Sequence, residues 1–148
     1  DWSSDVCSSD LSRQPSSSRS DCGITARPDQ GTRQARGIAK TALGAEHAVP
    51  WTYEPHIDTA LRTAAGEGYH VTVVETSAEA TDLFHWQPAW PVCLVFGHEV
   101  DGVSPAASAL ATTHVRIPMY GSKRSLNVAT AAGVVLYELL GRRLGRSG

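Results

Sequence analysis

Five consecutive residues, Val92 to Phe96, are apolar without a break, with Pro91 before them and Gly97 after. A run this short suits a strand covered on both faces, and strands of that kind belong to parallel sheets. Parallel neighbours need crossover segments, usually helices, to join them. The surrounding sequence supplies such segments. Ile57, Ala60, Leu61, Ala64 and Ala65 recur at helical spacing across His56–Gly66, with Asp58 favouring the first turn. After Gly66 and Gly68 comes YHVTVVET, whose β-branched and aromatic residues predict a strand.

A short acidic helix is predicted around Ala78–Phe84, followed by the breakers Pro88 and Pro91. Ser104–Ala111 predicts another short helix, with Pro105 at its first position, where a missing N–H costs little. HVRIPM reads as a further strand. Ser125 stands where an N-cap would open a helix from about Leu126 to Leu140, ending near Gly141. Helices alternating with strands predict an α/β fold: a mainly parallel sheet with helices on both faces.

The last of these helices constrains assembly. Val128, Ala129, Ala131, Ala132, Val134, Val135, Leu136, Leu139 and Leu140 leave it almost no polar face, and a helix apolar all round asks to be buried all round. One small sheet cannot cover every side of it. A homodimer is the economical expectation, the alternative being a monomer in which other elements of the chain lie over it.

The chain's 148 residues suffice for one domain. Its opening stretch, DWSSDVCSSDLSRQPSSSRSD, is crowded with Ser and Asp, has no period, and lacks the apolar run of a signal peptide or membrane helix. Residues 1–35 therefore read as a disordered leader or a translated sequencing-adapter remnant, and residues 36–148 as the domain. Three cysteines, Cys7, Cys22 and Cys93, show no CxxC or Cys/His metal spacing. A reduced, cytoplasmic protein without structural metal is expected, with Cys93 a small buried hydrophobe.

Net charge is −2, but the charge is unevenly placed. From Gly44 to Val115 nine acids face one base, Arg62, whereas from Arg116 onward six bases face only Glu138. An RNA partner would bind near the final third; otherwise Arg142, Arg143 and Arg146 complement a helix C-terminus.

Two strand-to-loop transitions, LVFGHEVDGV (Leu94–Val103) and IPMYGSKRSLNVATAAGVVLYE (Ile117–Glu138), lie where ligands of open α/β sheets gather. Each alone admits an ordinary reading as a turn or a cap. Together they resemble the signature of the SpoU/TrmH family of SPOUT RNA methyltransferases: IPM, a Gly-containing loop, SLNV and a small-residue helix ending near LYE, preceded by an FGNE-type motif. KTALGAEHAVPW, from Lys40, resembles the corresponding part of several bacterial members, so the resemblance runs from about Lys40 to Arg143.

The resemblance implies an α/β domain with a carboxy-terminal trefoil knot, a homodimer, and S-adenosyl-L-methionine as cofactor. It further implies methyl transfer to a ribose 2'-hydroxyl of tRNA or rRNA. Cofactor-binding positions carry over to Gly97, Ile117 and Leu126, with Met119 as an adenine-pocket wall. The polar pair of SLN carries over to Ser125 and Asn127 as catalytic residues, and Glu99 as a brace for the second motif.

Two departures stand out. His98 occupies a position where the family has Asn. The family's first motif, an Asn-x-Gly strand followed by Arg-Thr-Ala, has no match, since Arg27, Arg33 and Arg36 lie in other contexts. A truncated copy that binds cofactor but transfers methyl groups poorly is therefore expected. A catalytically inactive cofactor- or RNA-binding homologue is the alternative. An unrelated nucleotide-binding α/β protein would want GxGxxG or GxxxxGK[ST], and neither occurs.

Overall fold

A computed structural model of the chain describes residues 54–97 and 101–145, together with the main chain of residues 6–8. His98, Glu99, Arg146, the segment from Lys40 to Trp51 and nearly all of residues 1–35 lie outside the described residues. The strands are β1 (Val6–Ser8), β2 (His70–Glu75), β3 (Thr81–Asp82), β4 (Val92–Phe96) and β5 (Thr113–Arg116). The helices are α1 (Ile57–Gly66), α2 (Pro105–Leu110) and α3 (Val128–Arg143).

The sheet order is β1-β4-β2-β5-β3. β2 pairs in parallel with both β4 and β5, and β3 pairs in parallel with β5. Only β1, inside the stretch read as leader, runs antiparallel, along the outer edge of β4. All five positions of β4 are buried, as its unbroken apolar run predicts. β2 is buried from Val71 to Val74.

Helices cover both faces. On one, α1 and α2 close over Val71, Val73, Cys93 and Val95 through Leu61 and Ala107. On the other, Val135 and Leu139 of α3 pack with Leu83, Trp86, Leu94, Phe96 and Val115. Alternation of side chains along each strand divides the two cores. α2 begins as predicted, with Pro105 at its first position and the Ser104 hydroxyl accepting from Ala107 N–H at 3.2 Å.

Two expectations are corrected. Residues 78–84 form no helix. Ser77 Oγ and Asp82 Oδ1 instead accept from Glu79 N–H and Phe84 N–H two residues on, Thr81–Asp82 pairs with β5, and Leu83 N–H donates to Arg116 O at 2.9 Å. Short Ser and Asp side chains offer the backbone these local turns in place of a helix. Cys93 is not a reduced thiol but is disulfide-bonded. An odd cysteine count permits one pair, and which residues meet depends on Cα separation rather than on spacing in the chain.

In the single chain α3 is buried on one side only. Val135 and Leu139 are buried, while Val134, Tyr137, Leu140 and Leu144 are 37%, 79%, 36% and 70% exposed. The sheet occupies one side of the helix and nothing among the described residues covers the other.

The far end of α3 is pinned by Arg142. Its Nε donates to Glu138 Oε1 at 2.8 Å and its Nη2 to Leu83 O at 2.9 Å and Phe84 O at 3.0 Å, while Nη1 donates to Trp86 O. Arg143 lies over the Trp90 ring, 5.4 Å from its centroid. These two arginines serve the fold. Arg142→Ala would leave three carbonyls of the 83–86 turn without their donor, and should lower unfolding free energy by about 2 kcal/mol. Urea titration followed by tryptophan fluorescence checks this, with Arg142→Lys recovering only part of the loss because an ammonium lacks the planar fork.

Candidate functional site

The order of the sheet reverses at β2: the chain that leaves it returns as β4 on one side and as β5 on the other. Crevices of this kind, outside the carboxyl ends of parallel strands, are where α/β sheets hold ligands. A cleft of about 610 Å³ lies there. Glu75 and Thr76 reach it from the end of β2, Phe96 and Gly97 from β4, Ile117 and Met119 from beyond β5. Arg124 to Asn127 and the first turn of α3 form its remaining wall, with Asp101–Val103 opposite.

Gly97, Ile117, Met119, Ser125, Leu126 and Asn127, the first and last 30 residues apart (127 − 97), all line this one cleft. Of these, Ile117 and Met119 are half-buried, while Ser125, Leu126 and Asn127 are exposed on its wall.

Gly97 is required by contact. A Cβ there would stand 2.3 Å from Gly102 C and 2.4 Å from Val103 N, both backbone atoms with no rotamer to change. The chain leaving β4 thus returns against its own backbone, and Gly102, at φ +68°, makes the turn. Ser104 then caps α2 directly after this return.

The start of α3 differs from expectation. Asn127, not Ser125, is the N-cap: its Oδ1 accepts from Ala129 N–H at 2.9 Å and its carbonyl from Ala131 N–H at 2.9 Å. Both residue types cap well, and the path of the loop out of β5 decides between them. Ser125 stands two residues ahead, on the cleft wall.

Sequence reasoning did not name Glu75 or Thr76 as members of the site, and held Asp101 and Arg124 only as parts of the two loop segments. A signal existed for the first two, since they end the β-branched run at the carboxyl edge of a parallel strand. Glu75 has a second role: His114 Nδ1 donates to its Oε1, across the β2–β5 pairing. The cleft therefore carries two carboxylates and one guanidinium among apolar walls from Val74, Phe96, Ile117 and Met119. Among the described residues no cluster of His, Cys, Asp and Glu could hold a metal ion.

The SpoU rRNA Methylase family matches residues 18–137, beginning ahead of Lys40. The 23S rRNA (guanosine-2'-O-)-methyltransferase RlmB of Haemophilus influenzae is 34% identical over 120 residues, 80% of this chain and 48% of that protein. The A. aeolicus TrmH/SpoU tRNA modifying enzyme superposes with a TM-score of 0.70 at 26% identity, over 84% of this chain and 60% of the other. The SpoU methyltransferase AviRb from Streptomyces viridochromogenes, solved with the cofactor AdoMet, gives 0.63 at 30% identity, over 72% and 44%. The chain spans about half the length of the curated relatives it matches.

Three substitutions at two positions test these contacts. Gly97→Ala should destabilise the fold by about 2 kcal/mol, because backbone must move to admit the methyl. Asn127→Ala should cost about 1 kcal/mol of stability through the lost cap, and Asn127→Asp should restore it. Thermal denaturation of the three variants measures both.

Proposed function

We propose, because the chain belongs to the SpoU rRNA methylase family, that its cleft binds S-adenosyl-L-methionine and serves methyl transfer to a ribose 2'-hydroxyl of tRNA or rRNA. The observation that carries this reading is the convergence of Gly97, Ile117, Met119, Leu126, Ser125 and Asn127 on one cleft. Relatives named as an rRNA methyltransferase and a tRNA modifying enzyme support the substrate class, and AviRb with its AdoMet supports the cofactor.

The residues present suit such a ligand. About 610 Å³ is within the range of a small-molecule pocket, and the lining sets the polar groups of Glu75, Thr76, Asp101, Arg124, Ser125 and Asn127 beside apolar walls. Backbone at Gly97, Ile117 and Leu126 would read the adenine edge, with Met119 as an apolar wall. The carboxylates of Glu75 and Asp101 would balance the cofactor's cationic centres. When bound, the cofactor supplies a methyl group on a sulfonium, already activated as a leaving group.

What the protein must add is alignment of the hydroxyl and removal of its proton. Ser125, exposed on the wall, would hydrogen-bond an RNA phosphate or the group that accepts the proton. Asn127 would hold that loop rigidly to the start of α3, as its capping bond already does. The return of the chain against Gly97, between β4 and α2, is the part of the fold that the proposed trefoil knot would incorporate.

The exposed stripe Val134, Tyr137, Leu140 and Leu144 supports a homodimer in which a second copy covers the outer side of α3. No helix among the described residues is long and apolar enough to cross a membrane. Work on RNA in the cytoplasm fits this.

One observation favours a second reading. No Asn-x-Gly precedes an arginine in the 148 residues, and the Arg-Thr-Ala at Arg62–Ala64 lies within α1 and off the cleft, which suits a cofactor- or RNA-binding chain with little turnover. A radiolabelled methyl-transfer assay beside calorimetry separates the two. S-adenosylmethionine should bind at one site per chain, at least tenfold more weakly in Leu126→Asp, where a carboxylate is placed against the apolar wall. Absence of heat at millimolar cofactor would sink the methyl-transfer reading and leave only an RNA-binding chain. Light scattering should give a dimer mass, shifted towards monomer by Tyr137→Glu.

A further inference from the structure

The bases of the final third divide into two groups. Arg142 is spent on Glu138 and the carbonyls of the 83–86 turn, and Arg143 on the Trp90 ring. Arg116 is half-buried within β5, and Arg146 lies outside the described residues. That leaves Lys123 and Arg124, both exposed, on the loop between β5 and α3. Neither makes an ion pair or hydrogen bond among the described residues. The same loop begins with Tyr120, whose 93% exposure is the greatest of the exposed large hydrophobic residues.

This placement is informative. Tyr120 directly follows Met119, which walls the cleft, and Arg124 directly precedes Ser125. An aromatic ring held out in water, three residues from a Lys-Arg pair, has what a single-stranded nucleic acid uses: a face to stack a base and cations for the flanking phosphates. RNA is read chiefly where its bases are unpaired and can be splayed onto such rings. The acids on the rest of the described surface leave this loop as the cationic point beside the cleft.

We infer that Tyr120 is a stacking platform for an unpaired base of the RNA substrate, with Lys123 holding an adjacent phosphate and Arg124 guiding the strand to Ser125. The inference rests on the RNA reading above and adds the single-stranded character of what enters. A ring and a charge pair on one short loop fix the strand's register relative to the cleft. The target ribose is then presented by its neighbour's base rather than by contacts to the target itself.

Fluorescence anisotropy of a short labelled oligoribonucleotide against the full chain tests this. Tyr120→Ala should weaken binding of the single strand roughly 10- to 100-fold, and Tyr120→Phe, which keeps the ring, should retain it. Lys123→Ala should lower the slope of log affinity against log salt by about 0.7. Calorimetry with S-adenosylmethionine and the light-scattering mass should be unchanged in Tyr120→Ala. Equal RNA affinity in wild type and Tyr120→Ala would overturn the platform while leaving the methyltransferase reading intact. A Tyr120→Ala chain that falls to monomer mass would overturn it too, by assigning the ring to a subunit interface. Wild type that binds cofactor but no RNA would remove the platform and the RNA reading together, with the cofactor site surviving.

Discussion

The approach of residues 102–103 to Gly97 is the contact on which the site depends. β4 is buried at all five positions, and the chain beyond it comes back against Gly97 at residues 102–103. That return is possible only without a side chain at residue 97. It delivers Ser104 to its capping position, and α2 then buries its Ala107 against the β2–β4 face. From there the chain can enter β5 on the other side of β2, and the cleft opens between the two strand ends.

Much of this was legible because strands and breakers alternate plainly. Val92–Phe96 announces a parallel strand by its own composition, and YHVTVVET by its β-branched residues between Gly68 and the acidic turn. The cleft was legible because its residues sit at strand ends, where chemistry and topology point to the same places. What was not legible is what depends on distant pairing. Residues 78–84 suit a helix by composition, yet Thr81 and Asp82 pair with β5, more than thirty residues later. Glu75 meets His114 only because β2 and β5 lie side by side.

Ser125 and Asn127 show a finer limit. Two good capping residues stand two positions apart, and nothing local ranks them; the direction in which the loop arrives from β5 does. The disulfide at Cys93 is of the same kind, a matter of which atoms meet in space. Local chemistry thus settles which residues are capable of a role, and tertiary geometry settles which of them takes it.

α3 joins two places that are otherwise unrelated. Val128 and Ala131 wall the cleft at one end, and Arg142 anchors the other to the carbonyls of residues 83–86. Between Asn127 and Arg142 the helix is a strut roughly 22 Å long. An angular slack of about 3° at the anchored end of such a strut swings the free end by about 1 Å, enough to spoil alignment of reacting groups. The tolerance of the cleft is therefore set in part by a turn that touches no ligand. Leu83 and Trp86, remote from the cleft in sequence and in function, act as the bearing in which its wall is mounted.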